Sequence, residues 1–446
     1  MKIFKFNSLL FIAILLFSIN VKAQTGNQVI SADTDTTIVE TPDTNFWTQQ
    51  RLTGKWGGVR GKLWQSGIAI RPGFANYYQG MVNGNGNNDF EFGSKLWTTV
   101  VLNGEKLGLW KGFFTIARME YNMGHHVNNR GGTAFPVNTA LAYPGIEGAD
   151  RWDMNIYFIQ FLSKTDKIVF GKINNMDLGN FSSFSGGLGM RHFMNNAFVG
   201  PPNGITVPYV FGVYYMSGND KRDLTFAVYD ANSRVNKLGF EDLFQDGITF
   251  FASANLNTNF FGKKGKHGIS GAASTKDVAN FNDLENFFPP AGNTITEKSQ
   301  RWSLGYFFEQ TLFVNPEKKT QDFGVFGQIG LTDGEGSYAD YYFQLGISGN
   351  NPLIKSRHQD RWGIAFARIS FPDGLSGLTI PAVPNVFPGL EVNNGESILE
   401  AYYSAQLTPW ISLGIDYQYI VPGVTEAFGN RNDNVSFLGF RSIVKL

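Results

Sequence analysis

The 446-residue chain contains no cysteine. That absence excludes disulfides, zinc–thiolate sites, cysteine-ligated iron–sulfur clusters, thiol nucleophiles and a lipid-modified N-terminal cysteine. Charge is scarce as well: 17% of the residues are Asp, Glu, Lys or Arg, below the quarter usual in soluble domains. The 37 Lys and Arg balance 37 Asp and Glu, so the basic excess that recommends nucleic acid as a partner is missing. Past residue 23, no window reaches the ~18 apolar residues of a membrane-spanning helix. A membrane-spanning protein built from this chain must therefore be a closed barrel, because open strand edges cannot be satisfied in lipid.

Motifs for catalysis are scarce too. No Gly-x-Ser-x-Gly occurs, and "DGLSG" at 373–377 has the wrong spacing. No His-Glu-x-x-His occurs. His125 and His126 are neighbours, and on a strand they would point to opposite sides rather than share a metal. The acidic "TDGEGSYAD" at 332–340 lacks the EF-hand spacing. The expectation is no enzyme, no cofactor and no metal, with a barrel-embedded hydrolase as the remaining enzymatic alternative.

What is abundant is Gly, at 52 residues, and aromatic side chains, at 15%. That composition suits many short strands joined by turns, with an outer face that needs little charge. From Ile68 onward apolar residues alternate with small or polar ones, the period of a strand. In 411–421, Ile411, Leu413, Ile415, Tyr417, Tyr419 and Val421 oppose Ser412, Gly414, Asp416 and Gln418, with Ile420 the exception. The same alternation runs through 323–331, 341–348 and 362–367. In the last stretch Leu438, Phe440 and Val444 oppose Gly439, Arg441 and Lys445, and Ser442 and Ile443 break the pattern. A secreted sandwich or propeller shows such alternation, and so does a membrane barrel with lipid outside and water inside.

The connections favour the barrel. Short polar turns at 103–112, 217–223 and 315–322 alternate with long segments at 122–151, 174–206, 262–300 and 370–397. Short turns at one end and long loops at the other is the outer-membrane arrangement. The length predicts about 16 antiparallel strands. Tyr77-Tyr78, Tyr214-Tyr215, Tyr341-Tyr342, Tyr417 and Tyr419 read as interfacial girdles. Met1 to Ala23 reads as a secretory signal, with Lys2 and Lys5, an apolar core from Leu9 to Phe17, and Val21-Lys22-Ala23 at the cleavage site. Residues 24–50 read as a flexible leader and 51–446 as the barrel, opened by a short helix over 59–65.

Several segments resemble the carbohydrate-selective porins of the OprB type. "LTGKWGGVRGKL" resembles the opening signature, and "NGEKLGLWKGFFTIARMEYNMG" (103–124) an early hairpin. "RHQDRWGIAFA" (357–367) resembles a late strand, and "ESILEAYYSAQLTPWISLGIDYQYIVPG" the closing pair. The family usually has Asp where Lys55 stands and ends on an aromatic residue rather than Leu446. The resemblance implies an all-β, 16-stranded transmembrane barrel in the outer membrane of a Gram-negative bacterium, through which small carbohydrates diffuse passively. It implies no enzymatic activity. A general diffusion porin without sugar preference is the alternative. The expected partners are sugars and outer-membrane lipid, with a possible homo-oligomer.

A sugar pore needs hydrogen-bonding groups, opposed charges and aromatic surface at a constriction. On the register expected to face the lumen, the candidates are Arg118, Glu120, Asp153, Asn155, Lys172, Asn174, Glu309, Glu400, Gln406, Asp416, Gln418 and Arg441. Arg118 and Glu120 rank first, because they pair opposite charges just before a long loop. Lys172 and Asn174 are expected opposite Val169, Gly171 and Ile173. Arg130, Arg151 and Arg191 lie on 122–151 and 174–206, either of which is a candidate to fold inward and narrow the pore.

Overall fold

A computed structural model describes residues 45–446 apart from 146–150, 179–181, 239, 287–293, 319–320, 353, 381–388 and 427–431. The expected signal over 1–23 and most of the 24–50 leader lie outside the described residues.

The chain forms β1 (Ile68–Asn83), β2 (Glu91–Asn103), β3 (Phe113–Gly124), β4 (Trp152–Phe161), β5 (Asp166–Asn174), β6 (Tyr209–Gly218) and β7 (Arg222–Asp230). Next come β8 (Ile248–Phe260), β9 (Lys263–Ser274), β10 (Val278–Ala279), β11 (Glu297–Lys298), β12 (Arg301–Val314), β13 (Asp322–Thr332) and β14 (Tyr341–Asn350). Last are β15 (Arg361–Ser370), β16 (Thr379–Ile380), β17 (Leu390–Val392), β18 (Gly395–Thr408), β19 (Ile411–Val421), β20 (Val424–Glu426) and β21 (Val435–Lys445). Sixteen of these close one antiparallel barrel, with β21 pairing back onto β1. The β10–β11 hairpin and the β16–β17–β20 sheet stand in the long loops. Among the described residues no helix is long and apolar enough to cross a membrane.

Alternation dictates which side chains face outward. On β19, Leu413, Ile415, Tyr417, Tyr419 and Val421 are exposed on the outer face, while Asp416, Gln418 and Ile420 are buried inside. On β14, Tyr341, Phe343 and Leu345 are outside and Tyr342, Gln344 and Ser348 inside. The break at Ser442 and Ile443 has a local cause at the closing seam. Ser442 accepts a hydrogen bond from the Asn76 amide at 3.1 Å on the outer face. Ile443 packs inward against the cluster that contains Met190 and Met194.

Two expectations are corrected. The long segment 262–300 starts later, because Phe261 and Gly262 form a two-residue turn between β8 and β9. Both have positive φ, 55° and 71°, the backbone of a type I′ hairpin. On β5, Val169 and Ile173 are buried in an apolar cluster with Tyr157 and Ile159 instead of facing away from Lys172. Gly171 has a φ of 126°, and Lys172 also reaches inward to Asp153.

The N-terminal helix spans Val59–Gln65 after two positive-φ glycines, Gly57 and Gly58. Its segment is tied to the end of the last strand. The Leu52 N–H donates to the Lys445 carbonyl at 2.8 Å. Arg60 donates to the Leu446 carbonyl at 3.2 Å and lies 4.1 Å over the Trp56 ring.

Candidate functional site

Two long loops fold into the barrel. In 175–208, the Met194 and Asn195 N–H groups donate to the Glu400 carboxylate, the latter at 3.0 Å. The Asn195 amide donates to Gln418 at 3.0 Å. Arg441 donates to the His192 carbonyl at 2.6 Å, and its guanidinium lies 5.2 Å over the Tyr402 ring. Farther round the wall, Glu309 accepts from the Ser183 N–H at 2.8 Å and Arg301 donates to the Gly204 carbonyl at 2.9 Å. This loop therefore crosses the lumen from β5 to the opposite side. Phe193 fixes it there, packed on Phe326 of β13 and Tyr402 of β18 at ring-centroid separations of 5.6 and 5.0 Å.

The loop between β3 and β4 lies beside it. Its one-turn helix, Thr139–Ala142, is capped by Asn138, whose side chain accepts from the Leu141 N–H and donates to Gln79 at 2.6 Å. Lys95 donates to the Tyr143 carbonyl at 2.6 Å, and Gln418 to the Val137 carbonyl at 2.9 Å. Glu396 accepts from the N–H groups of Ala134, Phe135 and Gly423 at 2.6, 3.1 and 3.0 Å. The two loops join where the Thr139 N–H and hydroxyl both donate to the Met194 carbonyl, at 2.9 and 2.8 Å.

Beneath these loops, β2 to β6 carry a charged network. Glu120 pairs with Lys95 at 3.1 Å and Arg118 at 3.2 Å, and accepts from Asn174 at 3.4 Å and Tyr209 at 3.3 Å. Arg118 also lies 3.7 Å from Asp177 on the crossing loop. Lys172 pairs with Asp153 at 2.6 Å, and Asp153 accepts from the Asn236 N–H at 2.7 Å. Buried ions survive only when paired and hydrogen-bonded, and Lys95, Arg118 and Lys172 here match Glu120, Asp153 and Asp177 in number.

The structure therefore buries most of the sequence candidates. Arg118 and Glu120 are each 1% exposed. Asp153, Asn155, Lys172, Asn174, Glu309, Glu400, Asp416, Gln418 and Arg441 are buried with them. Gln406 is half-buried at the short-turn end, where its amide donates to the Ile411 carbonyl at 3.1 Å. Arg130 pairs with Glu91 and donates to the Asp89 carbonyl at 2.7 Å, near the loop before β2. Arg151 and Arg191 are exposed. Lys95, Asp177 and Tyr209 belong to the network and escaped the sequence reading. The only clue was Lys95 on the face of "EFGSKLWTT" opposite Phe92 and Leu96.

Open space lies on the other side of the crossing loop. A cavity of about 60 Å³, partly open to solvent, lies between residues 182–203 and the wall of β8, β9, β12, β13 and β14. Ser253, Asn255, Ser270, Ser303, Gln328 and Gln344 offer hydroxyls and amides to it, and Phe198, Phe251, Phe307, Phe326 and Tyr342 offer ring surface. Among the described residues that line it, none is charged. Gln344 donates to Gln328 at 2.8 Å, while its own amide oxygen and the Ser253 hydroxyl have no protein partner. Such an arrangement hydrogen-bonds neutral hydroxyl groups and stacks apolar faces, without favouring either sign of ion. These residues are common in any strand, so their role was not legible in sequence. The available signal was small residues at inward positions, such as Gly268, Ser270 and Ala272.

Residues 88–446 match the family described as "Carbohydrate-selective porin, OprB family". The high-pH structure of Pseudomonas putida OprB superposes with a TM-score of 0.74 at 18% identity, over 90% of this chain and 100% of that one. The low-pH structure of Pseudomonas putida OprB gives 0.53 at 13% identity, over 90% and 99%. At these identities the structural likeness carries the fold alone. No curated protein matches the chain in sequence.

Proposed function

The chain belongs to the carbohydrate-selective porin family, and we propose that it passes small neutral sugars along the β8–β14 side of its barrel. The location is the outer membrane of a Gram-negative bacterium, with lipid as the partner of the outward face. Movement is passive, and the family and fold are those of channels. In this reading Arg118, Glu120, Asp153 and Lys172 hold the inward loops in place, and the solute meets the uncharged wall instead. Glu309, Glu400, Gln418 and Arg441 do the same from the far side.

The observation that carries the reading is the cavity without charge. A passage lined by Ser253, Ser270, Gln328 and Gln344 beside Phe307 and Tyr342 supplies what a sugar presents: hydroxyls around its edge and C–H surface on its faces. A general porin would gain nothing from this lining over a charged one.

Planar-bilayer conductance tests it. Mono- and disaccharides should reduce the current at lower concentration than a non-sugar solute of the same size. Equal responses would leave a general diffusion porin.

A further inference from the structure

Although the chain has no net charge, its charges are polarised along the barrel axis. Exposed cations crowd the short-turn end: Lys106 and Lys111 before β3, Lys164 before β5, Lys221 before β7, Lys264 after the β8–β9 turn and Lys318 before β13. Glu105, Asp220 and Glu317 are the exposed acids on the same turns, and they are outnumbered. Two of the long loops are the reverse; 333–340 and 371–394 hold Asp and Glu and neither Lys nor Arg.

The same turns expose apolar side chains. Trp110 is 58% exposed between Leu109 and Lys111. Phe261 is 98% exposed, two residues before Lys263. Phe261 also holds a φ of 55° at a turn position where Asn or Gly fits with less strain. Among the described residues nothing packs on its ring to offset that choice. A surface outside the protein would.

We propose that the short-turn rim from β2 to β13 binds anionic phospholipid headgroups. The lysine ammonium groups pair with lipid phosphates, and Leu109, Trp110 and Phe261 enter the boundary between headgroups and acyl chains. The proposal rests on the membrane reading of the barrel. The apolar tips decide for lipid over a soluble anion, which would gain nothing from Phe261.

The test uses the full chain in nanodiscs of phosphatidylcholine with phosphatidylglycerol, reading the ratio of the two lipids retained by native mass spectrometry. Wild type should enrich phosphatidylglycerol. The double variant Lys111→Glu/Lys264→Glu should lower that enrichment at least tenfold, since one lysine near an anionic surface is worth about fivefold. Phe261→Asn should fit the turn better yet reduce retention of both lipids. Equal enrichment by wild type and the double variant would overturn the proposal. So would displacement of the bound phosphatidylglycerol by soluble glycerophosphate, which would indicate a site for free anions. Conductance is measured on the same samples: variants that still conduct place any failure in the rim, whereas a wild type without conductance would undo the porin reading itself.

Discussion

Replacing Arg118 by Met separates a residue that touches solute from one that holds the wall together. Arg118 is 1% exposed, 3.2 Å from Glu120 and 3.7 Å from Asp177, with its guanidinium 6.0 Å from the Trp97 ring. Removing one partner from a buried ionic network costs about 3–5 kcal/mol, because a charge is left without compensation. The lower end applies here. Glu120 keeps Lys95 at 3.1 Å and the Asn174 and Tyr209 donors, and Met fills much of the space that the arginine stem occupied. The expected loss is about 3 kcal/mol. Urea unfolding in lipid vesicles measures it, with Trp97 as a local fluorophore. Sugar block in the bilayer assay should stay at the wild-type level. Stability within about 0.5 kcal/mol of wild type, together with sugar block weakened by an order of magnitude, would refute the reasoning and return Arg118 to the solute path.

Gln344→Leu removes an amide whose oxygen has no protein partner; at about 1 kcal/mol per hydrogen bond, sugar block should weaken about fivefold with single-channel conductance little changed. Glu400→Ala takes the acceptor from the Met194 and Asn195 N–H groups, so the crossing loop should loosen, conductance should rise and the preference for sugar over a size-matched solute should fall. Leu345→Arg, in the middle of β14 on the outer face, should cost about 2–4 kcal/mol of stability in lipid, read by the same urea titration. His192 sits buried on the crossing loop, and burial, then Arg361 and Arg191, push its pKa well below the usual 6.5. Its folded form therefore binds fewer protons than its unfolded form. Loop stability is full above about pH 6.5 and declines as the pH falls from there toward the folded pKa. Current noise should grow on acidification in wild type and much less in His192→Gln.

Much of the architecture was legible because it follows from local rules. Alternation places Leu413, Ile415 and Tyr417 outside and Asp416 inside with no knowledge of the neighbouring strands. Gly57 and Gly58 mark the entry to the helix at Val59, and turn lengths alone separate the two ends of the barrel. The inward face of most strands, and with it most of the buried polar residues, belongs to the same local information; β5, where Val169 and Ile173 are buried beside Lys172, is the exception. What fills the lumen does not. Glu400 meets Met194 across 206 residues of chain, and Arg118 meets Asp177 of a loop beyond two further strands. No spacing rule connects them, so the contacts of Glu400 and Arg118 with the inward loops could not be read from the strands alone. In the proposed reading the passage runs instead along the wall where Gly268, Ser270 and Ala272 leave room. Period along a strand follows from covalent geometry, which each residue carries in its own backbone. The position of the passage depends on which side of a closed barrel two long loops occupy, and only their packing against distant strands decides that.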